Sequence, residues 1–189
     1  ESPQTLKTSN VMIATGARQR GLPNLPIDGN VVITSRQALE MREVPARVVI
    51  VGGGATGAEF AYLYNCYGSE VTIVELLPRM VPLEDDDVGA QLGRSFKKMG
   101  VKVMTESHVL GITTESGTAK VTVSKGDTES VIECDRVLVA VGVTGNIENI
   151  GLEAAGVETE RGFILVDDSM KTNVPGVYAI GDVTGKLLL

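Results

Sequence analysis

Arg47-Val-Val-Ile-Val-Gly-Gly-Gly-Ala-Thr-Gly-Ala-Glu59, a run on to Gly68, and then Val71-Thr-Ile-Val-Glu75 decide the fold. Val48 to Val51 are consecutive β-branched residues, the composition of a strand covered on both faces. Gly52, Gly54 and Gly57 follow in G-x-G-x-x-G spacing. Thr56 to Tyr67 continue as a predicted helix, with Phe60, Leu63, Tyr64 and Tyr67 at helical spacing and Gly68 placed to close it in a left-handed cap. Val71 to Val74 predict a second strand, and Glu75 sits at its end.

Each part of this unit has a mechanical reason. Gly52 permits the tight turn out of the strand, Gly54 leaves the backbone bare for a pyrophosphate, and Gly57 lets helix and strand close on each other. The free amides and positive dipole end of the helix then face the phosphates. Glu75 lies roughly 20 residues beyond the first glycine, the distance at which an acid reaches the adenosine ribose. It can accept from both ribose hydroxyls and would repel a 2′-phosphate, which favours NAD over NADP. Glycine-rich turns also occur as plain tight turns. Here the strand before, the helix after and the acid coincide, and they read together as a dinucleotide site.

Composition bounds the rest. At 189 residues the chain has room for one large domain or two small ones. Its 17 basic and 24 acidic side chains, net −7, argue against nucleic acid and anionic membrane as partners. No apolar run approaches the roughly 20 residues needed to span a bilayer, and no secretory signal is visible. Cys66 and Cys134 lie far apart inside predicted elements. They read as buried free thiols rather than as a bridge or a nucleophile, in keeping with a reducing, cytoplasmic compartment. The sequence holds no C-x-x-C pair and no metal-ligand cluster.

Outward from the glycine unit, Thr5 to Ser9 is expected to be a strand leading into Val11-Met-Ile-Ala-Thr-Gly16. Pro23, Pro26 and Gly29 mark a loop, and Ser35 is placed to cap a short helix through Glu40. Beyond Glu75, Pro78 and Pro82 make Leu76 to Leu83 a loop. Asp85, Asp86 and Asp87 suit either a helix N-terminus or a metal site; three successive residues point in different directions, which favours the helix. That helix runs to Met99, with Val88, Leu92, Phe96 and Met99 as its expected apolar stripe and Gly100 as its cap. Val101 to Met104 predict a third parallel strand.

The pattern then changes. Val109 to Thr114, Ala119 to Ser124 and Ser130 to Cys134 are short strands separated by turns at Gly117 and Gly126. Ala119-Lys-Val-Thr-Val-Ser124 alternates strictly, so an antiparallel meander with one wet face replaces the usual helical crossover. Arg136-Val-Leu-Val-Ala-Val-Gly142 returns to a buried parallel strand. Leu152 to Ala155 reads as one helical turn, and Phe163 to Val166 and Val177 to Asp182 as further strands. The fold class is α/β: a Rossmann-type parallel sheet with an antiparallel β-meander crossover, flanked by a partial second α/β domain.

In this order and spacing the segments resemble the flavin-dependent pyridine nucleotide–disulfide oxidoreductases. The resemblance rests on Ala14-Thr-Gly-Ala17, the Gly52 to Glu59 turn, Glu75, Val137-Leu-Val-Ala-Val-Gly142 and Val177-Tyr-Ala-Ile-Gly-Asp182. It spans essentially the whole chain. Gly142-Val-Thr-Gly-Asn-Ile-Glu-Asn-Ile-Gly-Leu152 and Gly181-Asp-Val-Thr-Gly185 are most like the dihydrolipoamide dehydrogenase branch.

The resemblance implies roles by position. Residues 1–44 and 144–189 are expected to be parts of an FAD domain, with 45–143 an NAD-binding domain inserted between them. Gly52, Gly53, Gly54, Ala55, Thr56, Gly57, Ala58 and Glu59 would hold the NAD pyrophosphate. Glu59 also matches a carboxylate near the nicotinamide, or else it is a helix-surface acid. Glu75 would take the adenosine ribose, Val109 would line the adenine pocket, and Gly142 would lie near the nicotinamide. Thr15, Gly16 and Ala17 match an FAD-contacting turn, and Asp182 matches an acid bonded to the flavin side of FAD. Leu188 and Leu189 reach the start of the next FAD-contacting segment. Ala55 and Thr56 replace larger side chains near the nicotinamide, and Val143-Thr-Gly-Asn146 replaces an Arg-Arg-Pro-Asn common in relatives.

Relatives also carry an N-terminal G-x-G-x-x-G for FAD, a Cys-x4-Cys pair that exchanges with the dithiol substrate, and a C-terminal dimerisation domain supplying a His-Glu pair. None of these is in this sequence, and His108, with no candidate acid partner, does not stand in. The chain opens at Glu1 without a Met and stops at Leu189 inside a motif. It reads as the NAD(H)-binding piece of a larger enzyme, inactive alone and with no catalytic residue of its own. The parent is expected to oxidise dihydrolipoamide with NAD through a disulfide and FAD, as a homodimer serving the lipoyl domains of 2-oxoacid dehydrogenase complexes. Two alternatives stay open: the same region of a mercuric reductase or transhydrogenase-type flavoprotein, and a stand-alone nucleotide-binding module.

Overall fold

The computed structural model describes residues 4–23 and 25–188, so Leu189 of the C-terminal expectation lies outside the described residues. The chain divides into two compact units, Gln19–Gly142 and Glu1–Arg18 with Val143–Leu189. Residues 19–44, set apart from the middle on sequence, fall in the same compact unit as it.

The larger unit is built in three layers around one parallel sheet. Its strand order is Val32–Ile33, Arg136–Val139, Arg47–Val51, Glu70–Val74 and Lys102–Met104. On one face Val48, Ile50 and Leu138 are sealed beneath helices. On the other, Val49, Val51, Val137 and Val139 are sealed beneath the meander. Cover on both sides is why the central strand is an unbroken β-branched run rather than an alternating one.

Ala55–Cys66 follows the central strand and buries Ala58, Phe60, Ala61 and Tyr64. It ends on Gly68 at φ +91°. Gly68 N–H donates to Asn65 O at 3.0 Å and Ser69 N–H to Tyr64 O at 3.0 Å, the paired closure that needs a left-handed residue. Asp86–Lys98 closes in the same way beyond Gly100, with Val101 N–H donating to Phe96 O at 3.0 Å.

The buried face of Asp86–Lys98 differs from the expected stripe. Val88 and Met99 are exposed, and the inner face runs through Gly89, Leu92, Gly93 and Phe96. Gly89 explains the rotation. A Cβ there would stand 2.4 Å from Met80 O, so the helix backbone itself makes the contact. Ser35–Glu40 is the short helix expected, but its cap is Thr34, whose N–H donates to Gln37 Oε1 at 3.0 Å.

His108–Glu115, Thr118–Lys125 and Thr128–Cys134 form the antiparallel meander, with a register shift between Val109 and Gly111. Ala119, Val121 and Val123 are buried against the sheet, so they form the dry side of the alternation read from sequence. Cys134 is buried at the end of this layer. Cys66 is exposed, contrary to the expectation for both thiols. It shares the outer face of its helix with Glu59 and Tyr62.

In the smaller unit Val11–Ile13 and Val177–Ala179 pair in parallel. Thr159–Glu160 pairs antiparallel with Phe163–Ile164, over a core of Leu152, Val157, Ile164, Ala179 and Val183. Leu152–Ala155 is the single helical turn expected. Thr5 to Ser9 is irregular rather than a strand, with Leu6 left in solvent. Among the described residues no helix is long and apolar enough to cross a membrane, and no group of His, Cys, Asp or Glu is placed to hold a metal ion. Of the acidic triplet, Asp86 pairs with Arg79 at 2.8 Å.

Candidate functional site

The carboxyl ends of the central strands lead to Gly52 and Gly142, the position where open parallel sheets take their ligands. Gly52 leaves its strand at φ +107°, and a Cβ there would stand 2.3 Å from Ala140 O. A Cβ on Gly57 would stand 2.0 Å from Gly52 O. Both glycines are therefore demanded by backbone approach within the protein. Gly54 differs: nothing lies within 4 Å of where its Cβ would be, and the bare space opens outward.

Gly54 also caps Ala55–Cys66. The first helical bond runs from Ala58 N–H to Gly54 O at 2.9 Å, so the amides of Ala55, Thr56 and Gly57 have no acceptor inside the helix. Such a terminus attracts an anion through these donors and through the helix dipole together.

Glu75 ends the neighbouring strand and is 7% exposed. Its backbone is held on both sides, N–H to Met104 O at 2.8 Å and carbonyl from Ser107 N–H at 3.0 Å. One carboxylate oxygen accepts Gly53 N–H at 2.5 Å and the other accepts Leu77 N–H at 2.7 Å. Each oxygen keeps lone-pair capacity for a further donor. The acid is thus a buried acceptor whose aim is fixed by the glycine turn itself.

A cavity of about 600 Å³ opens at this point, within the size range of small-molecule sites. Val51, Gly52, Val74 and Ala140 to Gly142 line it from the strand ends, together with Gly54, Ala55 and Glu75. Leu76, Leu77, Val81, Pro82 and Leu83 make a wall from the two-proline loop. Ser107, His108 and Val109 make a second, and Arg20, Leu22 and Leu25 a third.

Of the sequence candidates, the cavity brings together Gly52, Gly54, Ala55, Glu75, Val109 and Gly142. Gly53 lies behind them as the buried donor to Glu75. Thr56, Gly57 and Ala58 belong to the first helical turn but not to the cavity lining, and Glu59 is exposed further along the helix. His108 begins its meander strand as expected, and it lines the cavity. Sequence reading missed Arg20, Leu22 and Leu25, which come from an upstream loop with no periodicity to read. It also missed the wall after Glu75, where leucines flanking Pro78 and Pro82 were the available signal.

The remaining candidates lie in the smaller unit. Gly16 turns at φ +70° beyond Val11–Ile13, and Gly181–Thr184 turns beyond Val177–Ala179. Thr15, Gly16, Ala17 and Asp182 therefore stand at the same end of one parallel pair. Asn146 pins the first of these turns. Thr15 Oγ1 donates to Asn146 O at 2.8 Å, Asn146 Nδ2 donates to Thr15 O at 2.9 Å, and Asn146 N–H donates to Gly16 O at 2.9 Å. Arg18 forks onto Glu148 at 2.5 and 2.8 Å and also donates to Gly145 O. Its guanidinium holds the Glu148 carboxyl below the usual carboxylate range.

The family described as pyridine nucleotide-disulphide oxidoreductase matches residues 1–189. The dihydrolipoyl dehydrogenase of Chlorobaculum tepidum is 47% identical over 189 residues, covering all of this chain and 40% of that protein. Among solved structures, LpdA from Mycobacterium tuberculosis has a TM-score of 0.85 at 34% identity, over 95% of this chain and 39% of that one. The HOCl-induced flavoprotein disulfide reductase RclA from Escherichia coli gives 0.81 at 31% identity, over 95% of this chain and 41% of that one. The chain thus spans about 40% of the length of the curated relatives it matches.

Proposed function

The chain belongs to the pyridine nucleotide-disulphide oxidoreductase family, and from that premise we propose that it is the NAD(H)-binding portion of a flavin-dependent dihydrolipoamide dehydrogenase. One observation carries the reading: bare Gly54, the open helix N-terminus and the buried Glu75 carboxylate all border one cavity. Pyrophosphate oxygens would accept from the free amides of the helix start. The ribose hydroxyls would donate to the remaining lone pairs of Glu75, and the adenine would lie among Leu77, Leu83 and Val109. A 2′-phosphate would meet a carboxylate shielded from water, where like charges repel strongly. NAD is therefore favoured over NADP. The Gly142 end is left for the nicotinamide.

Thr15, Gly16, Ala17 and Asp182 would hold part of an FAD. The local fit is good, because Asn146 stiffens the Gly16 turn and nothing fills the space beside Gly181 where a Cβ would stand. When bound, FAD supplies the hydride carrier that a nicotinamide coenzyme requires as its partner. The residues of this chain bind and orient; the dithiol exchange is assigned to parts of the protein outside it. In this reading 45–143 serves NAD together with the 19–44 segment that packs in the same unit and supplies Arg20, Leu22 and Leu25 to the cavity, and 1–18 with 144–189 serve FAD. The whole protein would oxidise dihydrolipoamide as a cytoplasmic homodimer, take its substrate from the lipoyl domains of 2-oxoacid dehydrogenase complexes, and contribute to cell redox homeostasis.

Calorimetric titration of the chain with NADH and NADPH tests the reading. NADH binding tighter than NADPH binding supports it. Equal affinity for the two, or no binding of either, contradicts it.

A further inference from the structure

We propose that Arg20 is the anion-binding side chain of this cavity and that it contacts the pyrophosphate of the dinucleotide. The proposal rests on the dinucleotide reading above and adds to it a residue from outside the glycine unit.

Position comes first. Arg20 N–H donates to Gly142 O at 2.9 Å, which fixes its backbone at one end of the cavity. Gly52 lies against Ala140 in that same region, so the turn that receives phosphates and the Arg20 backbone flank one stretch of strand end. The segment is held firmly: Leu25 N–H donates to Leu22 O at 3.0 Å, and Leu25 is buried in the core beneath the meander. Arg20 itself is exposed, so its guanidinium is free to turn toward a ligand without breaking a buried contact.

Charge decides between a contact and a merely solvated side chain. Among the described residues lining the cavity, Arg20 is the single Lys or Arg, against the carboxylates of Glu75 and Glu84. A pyrophosphate brings two negative charges. The helix N-terminus offsets only about half a unit charge, so a site of glycine turn and carboxylates alone stays repulsive overall. A guanidinium supplies the missing charge and a fork that fits phosphate oxygens. Arg18, two residues earlier, is already committed to Glu148, whereas Arg20 makes no ion pair with a described carboxylate.

The test is calorimetric titration of the wild-type chain, Arg20→Gln and Arg20→Lys with NADH and with ADP-ribose, which keeps the pyrophosphate and lacks the nicotinamide. Because the segment is anchored through backbone and leucines, both variants should fold, and unchanged unfolding midpoints check this. The expected result is that Arg20→Gln raises Kd for both ligands alike by about tenfold or more, as loss of a charge-assisted hydrogen bond does. Arg20→Lys should lose less, and salt should weaken wild-type binding more steeply than that of Arg20→Gln. Unchanged affinity in Arg20→Gln overturns the assignment while leaving the dinucleotide reading intact. A loss for NADH but not for ADP-ribose also overturns it, by moving Arg20 to the nicotinamide end. Failure of the wild type to bind either ligand overturns the underlying reading itself.

Discussion

Gly53 N–H donates a buried hydrogen bond of 2.5 Å to the Glu75 carboxylate, tying the glycine turn to the acid that follows the neighbouring strand. The two halves of the proposed coenzyme site are one mechanical unit. Removing the carboxylate therefore has two consequences. Glu75→Ala leaves the buried Gly53 N–H and the Leu77 N–H without their acceptor, at about 1–3 kcal/mol per buried unsatisfied group. It should also erase the preference for NADH over NADPH. Glu75→Gln keeps an acceptor oxygen but not the charge, so it should retain more stability while admitting NADPH. Denaturant unfolding together with titration of both coenzymes separates the two effects.

The three motif glycines should respond differently to alanine. Gly52→Ala and Gly57→Ala drive a Cβ to 2.3 Å from Ala140 O and 2.0 Å from Gly52 O, and Gly52 also stands at φ +107°. Backbone cannot yield cheaply, so each should destabilise the chain by more than about 2 kcal/mol. Gly54 has open space and φ −72°. Gly54→Ala should cost about 1 kcal/mol or less and yet weaken NADH binding, because the new methyl occupies the proposed phosphate approach. Unfolding curves beside coenzyme titrations read the contrast.

Thiol chemistry should report the two cysteines separately. Cys66 is exposed, while burial pushes the Cys134 thiol up to about 11. Since the thiolate is the reactive form, Cys134 should be inert at neutral pH in the folded chain. A chromogenic disulfide reagent should titrate one thiol in native protein and two after denaturation. Two fast native thiols would contradict the buried placement of Cys134.

Arg47 and Asp135 give a pH signature. Arg47 N–H donates to Asp135 Oδ2 at 2.8 Å, and its guanidinium donates to Oδ1 at 2.8 Å. The side-chain bond from Arg47 holds the Asp135 carboxyl below its ordinary value. A carboxyl lowered by folding contributes stability that is fully present above its unfolded value near pH 4. That contribution is lost as pH falls through the lower folded-state value. Asp135→Asn should be less stable than wild type at neutral pH, and the difference should shrink on acidification through that window. Unfolding midpoints across an acid pH series measure it.

The glycine unit was legible because its signals are local: a β-branched run, fixed glycine spacing, a helical period and a left-handed cap. The alternation from Ala119 to Ser124 was legible for the same reason. Elements made by long-range contact were not. Val32–Ile33 becomes an edge strand only by pairing with Arg136–Val139, and two residues carry no period. The helix Asp86–Lys98 turns a glycine inward, and apolar counting sees no contact where the contacting group is backbone. Cys66 shows the limit of burial rules, since a residue type that is often buried can still fall on an outer helical face. Within the cavity, Glu75 and the glycines were found by spacing, whereas Arg20, Leu22 and Leu25 reach it only through the folded path of a loop.

The most direct test is amide-resolved NMR of the chain titrated with NADH. Ligand-induced shifts should concentrate at the amides of Gly52 to Ala58, at Glu75 to Leu77, at Val109 and at Ala140 to Gly142, the borders of the one cavity. Saturable shifts centred elsewhere, with the Gly52 to Gly57 amides unmoved, would contradict the assignment of this cavity to the coenzyme.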